Sequence, residues 1–283
     1  MDLTSKRDIK KLLKERRIQP SKRLGQNFLI DKAVIKKIIK EARLKTKDIV
    51  LEIGPGIGTL TQDLSKEAKK LITVEKDLKM YDILKELLEC WNVKNVELVK
   101  EDILKFNPLT YKLKAKSYKV VANLPFYLTA PAIRKFLETK LPPELMILVV
   151  QKEVAQRICA RPPKMNILAV SVQFYAKPEI ISYVSKKSFW PSPKVDSAII
   201  KITPTKPGDI IMKPGNVDLF FRIVKAGFSQ PRKQLVNNLS KKLELNKQGV
   251  KFRLLKNNIQ PTQRAETLFI KDWINLTKSY KIN

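Results

Sequence analysis

The chain has 283 residues, with 57 Lys and Arg against 27 Asp and Glu, for a formal net charge of +30. This excess exceeds what solubility requires and indicates a polyanionic partner, best matched by nucleic acid, with a solvated Lys-rich surface as the alternative. Histidine is absent, so Ser-His and Cys-His hydrolysis are excluded and no metal site is expected.

Two features bear on the compartment. Cys90 and Cys159 are the only cysteines, which suits a reducing cytosol better than a disulfide scaffold. The start of the chain lacks the apolar core of a secretory signal, and no apolar run approaches ~20 residues. We therefore expect a cytoplasmic protein with no membrane partner.

Strand and helix patterns alternate through the first two thirds of the chain. A basic amphipathic segment, 1–22, comes first, followed by a predicted helix over 31–44 with Asp31 as its N-cap. Strands are predicted over 48–54, 70–76, 96–102, 118–123, 144–151, 178–184 and 195–202, the last two as an antiparallel pair at one edge. Helices are predicted from about 58 and over 77–90, 129–138 and 152–160. The pattern predicts an α/β fold with a mostly parallel seven-stranded sheet covered on both faces.

The last third of the chain differs in pattern. Residues 203–215 contain three prolines and two glycines and are predicted to be a linker. Helices are predicted over roughly 216–228, 231–242, 247–257 and 262–280. We therefore divide the chain into a basic segment, 1–22, a catalytic domain, 23–204, and a small helical domain, 205–283.

Glycines and acids follow the ends of the first predicted strands. Gly54, Gly56 and Gly58 form a G-x-G-x-G turn that lets the backbone approach a ligand, although tight packing alone is the alternative. The turn has neither the spacing of dinucleotide enzymes nor the Lys of a P-loop. Glu75 ends the second strand, where a carboxylate can accept hydrogen bonds from both ribose hydroxyls; the alternative is a surface Glu among lysines.

The third strand end adds Glu101 and Asp102, which stand where a carboxylate can accept a hydrogen bond from an adenine amino group. Glycines, a ribose acceptor and an adenine acceptor, with no phosphate clamp, suit S-adenosylmethionine. This molecule carries a ribose and an adenine but no phosphate, and we expect it to be the cofactor.

The fourth strand stops on Asn123-Leu124-Pro125-Phe126. The Asn123 side-chain carbonyl and the Leu124 and Pro125 backbone carbonyls could accept hydrogen bonds from one exocyclic amino group, and Phe126 could stack on the ring that bears it. A simple strand stop is the alternative, but it leaves the clustering with the other three strand ends unexplained.

Together these motifs resemble the ribosomal RNA adenine N6,N6-dimethyltransferases, and within them the small-subunit (16S-type) enzymes. The resemblance runs from about 23 to 238. It is carried by LGQNFLID (24–31), LEIGPGIGTLT (51–61), VEKD (74–77), EDIL (101–104), NLPF (123–126), SFWPSPKVDSAIIKI (188–202) and FRIVKAGFSQPRKQLVNNL (221–239). It implies a Rossmann-like class I S-adenosylmethionine-dependent methyltransferase domain and a small all-α C-terminal domain that binds RNA.

The resemblance also implies roles for individual residues. The cofactor would be bound by Asn27, Leu29, Gly54, Gly56, Glu75, Lys76, Asp102, Ile103 and Asn123. Catalysis would use Asn123, Leu124, Pro125 and Phe126, and the flipped adenine would lie between Phe126 and Phe189. The implied reaction is N6,N6-dimethylation of two adjacent adenosines near the 3′ end of 16S rRNA. It would occur in an assembling 30S-type particle, with a metal-free monomer as the enzyme and small-subunit biogenesis as its role.

Two departures and three rivals accompany this prediction. The family most often has Tyr at the position of Phe126, and segment 160–170 is shorter than the family's loop and lacks its Gly. The nearest rival is a large-subunit (23S) rRNA adenine dimethyltransferase of the antibiotic-resistance type. A non-catalytic RNA-binding assembly or transcription factor of the same fold would have a damaged cofactor site. DNA adenine methylation fits the flanking motifs poorly.

Overall fold

The computed structural model describes residues 1–205 and 214–280. It contains two compact units. One comprises Met1–Ala155 and Pro178–Pro204, and the other comprises Gln156–Lys177 and Thr205–Asn283. Residues 156–177, placed in the catalytic domain from the sequence, thus pack with the helical unit. Most of the predicted linker, 206–213, lies outside the described residues.

The first unit is built on a sheet with helices between its strands. Its strands are β1 (Phe28–Leu29), β2 (Ile49–Ile53), β3 (Lys70–Glu75), β4 (Val96–Lys100), β5 (Tyr118–Asn123), β6 (Leu145–Gln151), β7 (Ala176–Val184), β8 (Phe189–Trp190) and β9 (Ser197–Pro204). The first two residues of β7 belong to the second unit. Its helices are α1 (Lys6–Glu15), α2 (Lys32–Ala42), α3 (Thr61–Glu67), α4 (Leu78–Cys90) and α5 (Thr129–Leu137), and α6 (Lys152–Ile158) begins in it.

Seven strands form one sheet in the order β4-β3-β2-β5-β6-β9-β7. The pairs β2–β3, β3–β4, β2–β5 and β5–β6 are parallel, and β9 runs antiparallel to β6. The predicted seven-stranded, mostly parallel sheet is therefore confirmed. After β4 the chain returns to the other side of β2, so the strand order reverses between β2 and β5. In α/β sheets, a crevice opens at the carboxyl ends of the strands at such a reversal.

Local signals explain where these elements begin and which sides they bury. The Asp31 side chain accepts hydrogen bonds from the backbone N–H groups of Ala33 and Val34, which confirms the predicted cap of α2. Ile35 and Ile38 of this helix are buried against the sheet. The strands β2, β3, β5 and β6 are almost wholly buried because helices cover the sheet, as their continuous apolar runs predict.

A second, two-stranded sheet was not predicted. Strands β1 and β8 pair antiparallel, with Phe28 opposite Trp190 and Leu29 opposite Phe189. Two-residue strands carry no periodic pattern, so the sequence alone does not reveal the pairing. It holds the segment before α2 against the segment before β9.

The second unit is helical within the described residues. Its helices are α7 (Ile167–Tyr175), α8 (Pro214–Gly227), α9 (Leu235–Leu243), α10 (Lys247–Lys256) and α11 (Ile270–Lys278). The predicted helix over 262–280 begins only at Ile270, because Phe269 N–H donates to the Asp272 carboxylate (2.8 Å) in a cap at that point. Helix α7 was not predicted; Asn166 caps it, and its buried face joins a core around Phe220 and Trp273.

None of the helices in the described ranges is long and apolar enough to cross a bilayer.

A buried ion pair connects the amino ends of β2 and β5. Lys119 Nζ donates to the Asp48 carboxylate and to the Arg43 carbonyl, each at 2.7 Å, and its side chain is 5% exposed. Lys119→Ala should lower the free energy of unfolding by about 3 kcal/mol, because it removes the cationic partner of the Asp48 carboxylate, whose side chain is only 13% exposed. Urea unfolding measures this, with the exposed Lys47→Ala as control. Equal stability of the two variants would contradict the assignment.

Candidate active site

One cavity lies at the carboxyl edge of the sheet, around the reversal between β2 and β5. All nine residues predicted to bind the cofactor line it: Asn27, Leu29, Gly54, Gly56, Glu75, Lys76, Asp102, Ile103 and Asn123. They come from the segment before α2 and from the ends of four strands. Parallel pairing brings these ends to one edge, which is why residues up to about 70 positions apart, such as Gly54 and Asn123, share a wall.

The glycine turn after β2 forms the floor of the cavity. Gly54 and Gly56 have φ of +63° and +58°, the left-handed region that glycine adopts without strain. A Cβ on Gly56 would lie 3.1 Å from the Phe28 ring, whereas a Cβ on Gly54 would meet nothing within 4 Å. Gly54 therefore presents bare backbone to open space, and Gly56 lets the segment around β1 close over the turn.

Glu75 at the end of β3 is held in a fixed orientation. Its carboxylate accepts hydrogen bonds from the backbone N–H groups of Gly56 (3.1 Å) and Asp77 (2.8 Å). The residue is 8% exposed, and burial raises the pKa of its carboxyl, while the two N–H groups act in the opposite direction. A carboxylate has about four acceptor sites, so two remain for a ligand's hydroxyl groups.

Asp102, just beyond β4, forms an ion pair with Lys76 over 2.7 Å. Its other oxygen accepts the Leu104 N–H at 3.0 Å. The hydrogen bond from Lys76 lowers the pKa of the Asp102 carboxyl, so this group is an ionised acceptor at neutral pH. Lys76 is thus a partner of Asp102, a relation that strand positions alone do not reveal.

Asn123 at the end of β5 is oriented by the segment before α2. Its side-chain Nδ2 donates to the Asn27 backbone carbonyl at 2.9 Å. Because a carbonyl only accepts, this contact directs the amide nitrogen to Asn27 and leaves the Asn123 Oδ1 as an acceptor. Asn27 therefore contributes its backbone carbonyl, and its own amide turns back to Gly25 (3.1 Å).

Several groups of the Asn-Leu-Pro-Phe motif that were predicted to contact the target base do not face the cavity. The Pro125 carbonyl accepts the Leu128 N–H at 3.0 Å, so it points into a 3₁₀ turn formed by Phe126–Leu128. Pro125 lines the cavity, but Leu124, Phe126 and Phe189 do not. Phe189 is 4% exposed and packs in the core beside Leu29. A base held between Phe126 and Phe189 would thus require Phe189 to become accessible.

Glu52 in β2 is a buried acid that lines the same cavity. The residue is 1% exposed, and Thr61 Oγ1 donates to its Oε2 at 2.7 Å. Its Oε1 makes no hydrogen bond of ordinary geometry within the described part of the chain, where the nearby Thr73 hydroxyl on β3 also lacks a partner. Burial raises the pKa of the Glu52 carboxyl to about 7. An orphaned buried acceptor at a cavity wall is costly unless a ligand satisfies it.

The cavity is acidic although the chain is strongly basic. Its acidic lining residues are Glu52, Glu75, Asp77, Glu101 and Asp102. Lys76 is the one basic side chain among its described lining residues, and it is paired with Asp102. Such a cavity favours a cationic ligand and provides no clamp for phosphate.

The comparisons identify the family. Residues 18–281 match the family model described as ribosomal RNA adenine dimethylase. The chain belongs to this family. It is similar to Ribosomal RNA small subunit methyltransferase A of Dehalococcoides mccartyi (strain CBDB1), 41% identical over 274 residues that cover 97% of this chain and 93% of the relative. The protein of the same name from Alkaliphilus metalliredigens (strain QYMF) is 39% identical over 275 residues, covering 95% and 94%.

Solved structures agree on the fold. A dimethyladenosine transferase from Plasmodium falciparum has a TM-score of 0.73 at 28% identity and covers 87% of this chain and 94% of its own. The 23S rRNA methyltransferase ErmE, 24% identical, also has a TM-score of 0.73, over 89% of this chain and 98% of its own, and shows the likeness of the fold alone. The chain is a dimethylase-family methyltransferase of Rossmann-like fold.

Several residues of this dimethylase-family cavity were not predicted, among them Glu52, Gln26 and Tyr127. Glu52 interrupts the apolar run of β2, and a charge within a buried strand is a signal that could have drawn attention to it. The Gln26 side chain donates a hydrogen bond from Nε2 to the Asp77 carboxylate at 2.7 Å. This bond connects the segment before α2 to the start of α4. Tyr127 also lines the cavity. It was not predicted because the Asn-Leu-Pro-aromatic motif ends at the preceding residue, Phe126.

The raised pKa of Glu52 predicts a pH dependence of stability. Because its folded pKa of about 7 lies above the ordinary 4.5, the folded protein keeps a proton that the unfolded chain releases between these values. As pH rises from 4.5 to about 7, this group therefore lowers the free energy of unfolding, by on the order of 3 kcal/mol in total. Glu52→Gln has no such proton, so its stability relative to wild type should increase from pH 5 to pH 8.

Urea unfolding at several pH values measures the difference. The exposed Glu67→Gln serves as control and should follow wild type. A Glu52→Gln variant whose stability changes with pH in parallel with wild type would show that Glu52 does not titrate in this range.

Proposed function

We propose that the protein transfers methyl groups from S-adenosylmethionine to N6 of two adjacent adenosines near the 3′ end of small-subunit rRNA. It would act as a cytoplasmic monomer on an assembling 30S-type particle, as a step in small-subunit biogenesis. The observation that carries the proposal is the acidic cavity at the carboxyl edge of the sheet in a chain of net charge +30. The cavity suits a small cation, and the rest of the molecule suits a polyanion.

The residues of the cavity fit this cofactor. Glu75 retains acceptor sites for the ribose hydroxyls, and Asp102 for the adenine amino group, since neither carboxylate is saturated by its protein partners. The orphaned Oε1 of Glu52 supplies an acceptor for the ammonium of the methionine part, close to the bare backbone of Gly54. When bound, the cofactor supplies an electrophilic sulfonium methyl group.

Asn123 would prepare the target nitrogen. An adenine N6 is a poor nucleophile because its lone pair is delocalised into the ring. The Asn123 Oδ1, oriented through Nδ2 and the Asn27 carbonyl, would accept one N6–H. Acceptance of the other N6–H by the Leu124 carbonyl stays a prediction, because Leu124 does not line the cavity. These acceptors favour a pyramidal nitrogen with its lone pair available. The Pro125 carbonyl, a third predicted acceptor, is engaged with Leu128 and is not assigned this role.

The target base must leave its helical stack to reach these acceptors. Catalysis then consists mainly of positioning and electrostatics, without a side-chain general base, because the nitrogen becomes acidic once alkylated. Stacking of the base on Phe126, with Phe189 on its other face, stays a prediction from the family resemblance.

The basic surface would bind the RNA backbone. Helix α1 buries Ile9, Leu12 and Leu13 and leaves Lys10, Lys11 and Lys14 exposed. These cations would contact phosphates and release counterions, so affinity should fall steeply with salt.

Small-subunit rRNA is favoured over large-subunit rRNA by the chain's relatives. The two relatives described above, at about 40% identity over nearly the whole chain, are named for the small subunit. A non-catalytic factor is disfavoured because Gly54, Glu75, Asp102 and Asn123 are all present around one cavity.

Asn123→Ala should reduce kcat/KM for methyl transfer by roughly 30- to 1,000-fold, since removing a donor or acceptor aimed at the reacting group typically costs about 2–4 kcal/mol. Incorporation of labelled methyl groups into undermethylated small subunits measures the rate. Asn275→Ala, an exposed helix position, is the matched control. Calorimetry with S-adenosylhomocysteine checks that the variant still folds and binds. Transfer near the wild-type rate would refute the role of Asn123.

The substrate is tested with purified subunits that lack the modification. The protein and S-adenosylmethionine are incubated with small or large subunits, and primer extension with mass spectrometry locates dimethyladenosine. We expect two adjacent modified adenosines near the 3′ end of the small-subunit rRNA. Modification of large-subunit rRNA alone would favour the rival enzyme. The absence of both modification and S-adenosylhomocysteine binding would favour the non-catalytic factor.

A further inference from the structure

Tyr127 is an aromatic residue at the cavity that the proposed mechanism does not use. It follows Phe126 in the 3₁₀ turn formed by Phe126–Leu128. Leu128 is buried, whereas Tyr127 is 53% exposed although it lines the cavity. A large aromatic side chain half exposed at a cavity rim offers apolar surface that a ligand can cover.

Contacts of the following helix indicate at which end of the cavity Tyr127 lies. Helix α5 directly follows its turn, and Lys135 Nζ of α5 donates to the carbonyl of Leu104, a lining residue close to Asp102, at 3.0 Å. The electrostatics agree with this position: burial raises the pKa of the Tyr127 phenol, the charge of Lys76 lowers it, and the charges of Asp102 and Glu75 raise it. Glu75 and Asp102 are the acceptors that we assign to the ribose and the adenine. Tyr127 thus lies at the end assigned to the nucleoside.

The other aromatic residue at the cavity has its ring already covered. Phe28 is 5% exposed, stacks on Trp190 with ring centroids 6.4 Å apart, and packs against Gly56. Among the described ring contacts, none involves Tyr127. Of the two aromatic residues in the described lining, Tyr127 is therefore the one with a ring face available.

We propose that the Tyr127 ring stacks on the adenine of the bound cofactor and closes the nucleoside end of the cavity. This inference rests on the proposed function, because it requires an adenosine between Glu75 and Asp102. The Tyr127 ring makes none of the described ring contacts, and a purine would supply a flat ring for it to stack on. Stacking requires the tyrosine ring but not its hydroxyl. The Lys76–Asp102 ion pair and the ring would then confine the adenine from two directions.

Calorimetry with S-adenosylhomocysteine tests the inference. Tyr127→Ala should weaken binding about tenfold, which corresponds to about 1.4 kcal/mol, and Tyr127→Phe should bind within about twofold of wild type. Tyr183→Ala is the matched control, because Tyr183 lies in the same unit, is 54% exposed and is not among the cavity's lining residues. Melting temperatures verify that each variant is folded.

Methyl-transfer kinetics provide a second measurement. The KM for S-adenosylmethionine should rise in Tyr127→Ala while kcat stays near wild type, because a contact with the adenine is the same in the ground and transition states. Undiminished cofactor affinity with a raised KM for the RNA would overturn the inference and assign Tyr127 to the substrate. Unchanged values for both would overturn it as well.

The two proposals fail in distinguishable ways. If wild type binds neither S-adenosylmethionine nor S-adenosylhomocysteine, the proposed function is overturned, and this inference with it. If wild type binds both and Tyr127→Ala binds them equally well, the function stands and only the role of Tyr127 is overturned.

Discussion

The parallel pairing of β2 with both β3 and β5 is the constraint on which the rest of the molecule depends. It places the carboxyl ends of three strands side by side, and the reversal of strand order opens a crevice between them. The glycine turn, Glu75 and Asn123 each follow one of these ends. Residues separated by up to about 70 positions thus meet because backbone hydrogen bonds pair the strands that they follow.

The segment before α2 completes what the sheet begins. Its Asn27 carbonyl orients the Asn123 amide, its Gln26 is tied to Asp77, and its β1 strand pairs with β8. The cavity is therefore walled by a piece of chain that carries little regular structure. This arrangement couples the acceptor that we assign to the target nitrogen to a segment that also borders the assigned cofactor site, so the two sites share a wall.

Charge is divided between the cavity and the surface. Five acids line the cavity, and burial raises the pKa of Glu52 and of Glu75. The donors to these acids are backbone N–H groups, the Thr61 hydroxyl and the Gln26 side-chain amide, and Lys76 is the one cation among the described lining residues. The cations are concentrated outside it, as on the exposed side of α1. Under the proposed function, a basic exterior with an acidic site would let one protein attract an RNA while it binds a cationic cofactor.

The sequence by itself determined the strands of the sheet, their order along the chain and the polar residues that end them, because these depend on local periodicity and composition. It also predicted Gly54, Glu75, Asp102 and Asn123 as one constellation. Only the tertiary structure decided the pairing of Lys76 with Asp102, the engagement of the Pro125 carbonyl, the burial of Phe189 and the position of Tyr127. The tertiary structure likewise decided the surroundings of Glu52, whose Oε1 is buried without a hydrogen-bond partner among the described residues. The physical reason is that hydrogen-bond satisfaction and exposure are properties of neighbours in space, which backbone pairing between distant segments creates.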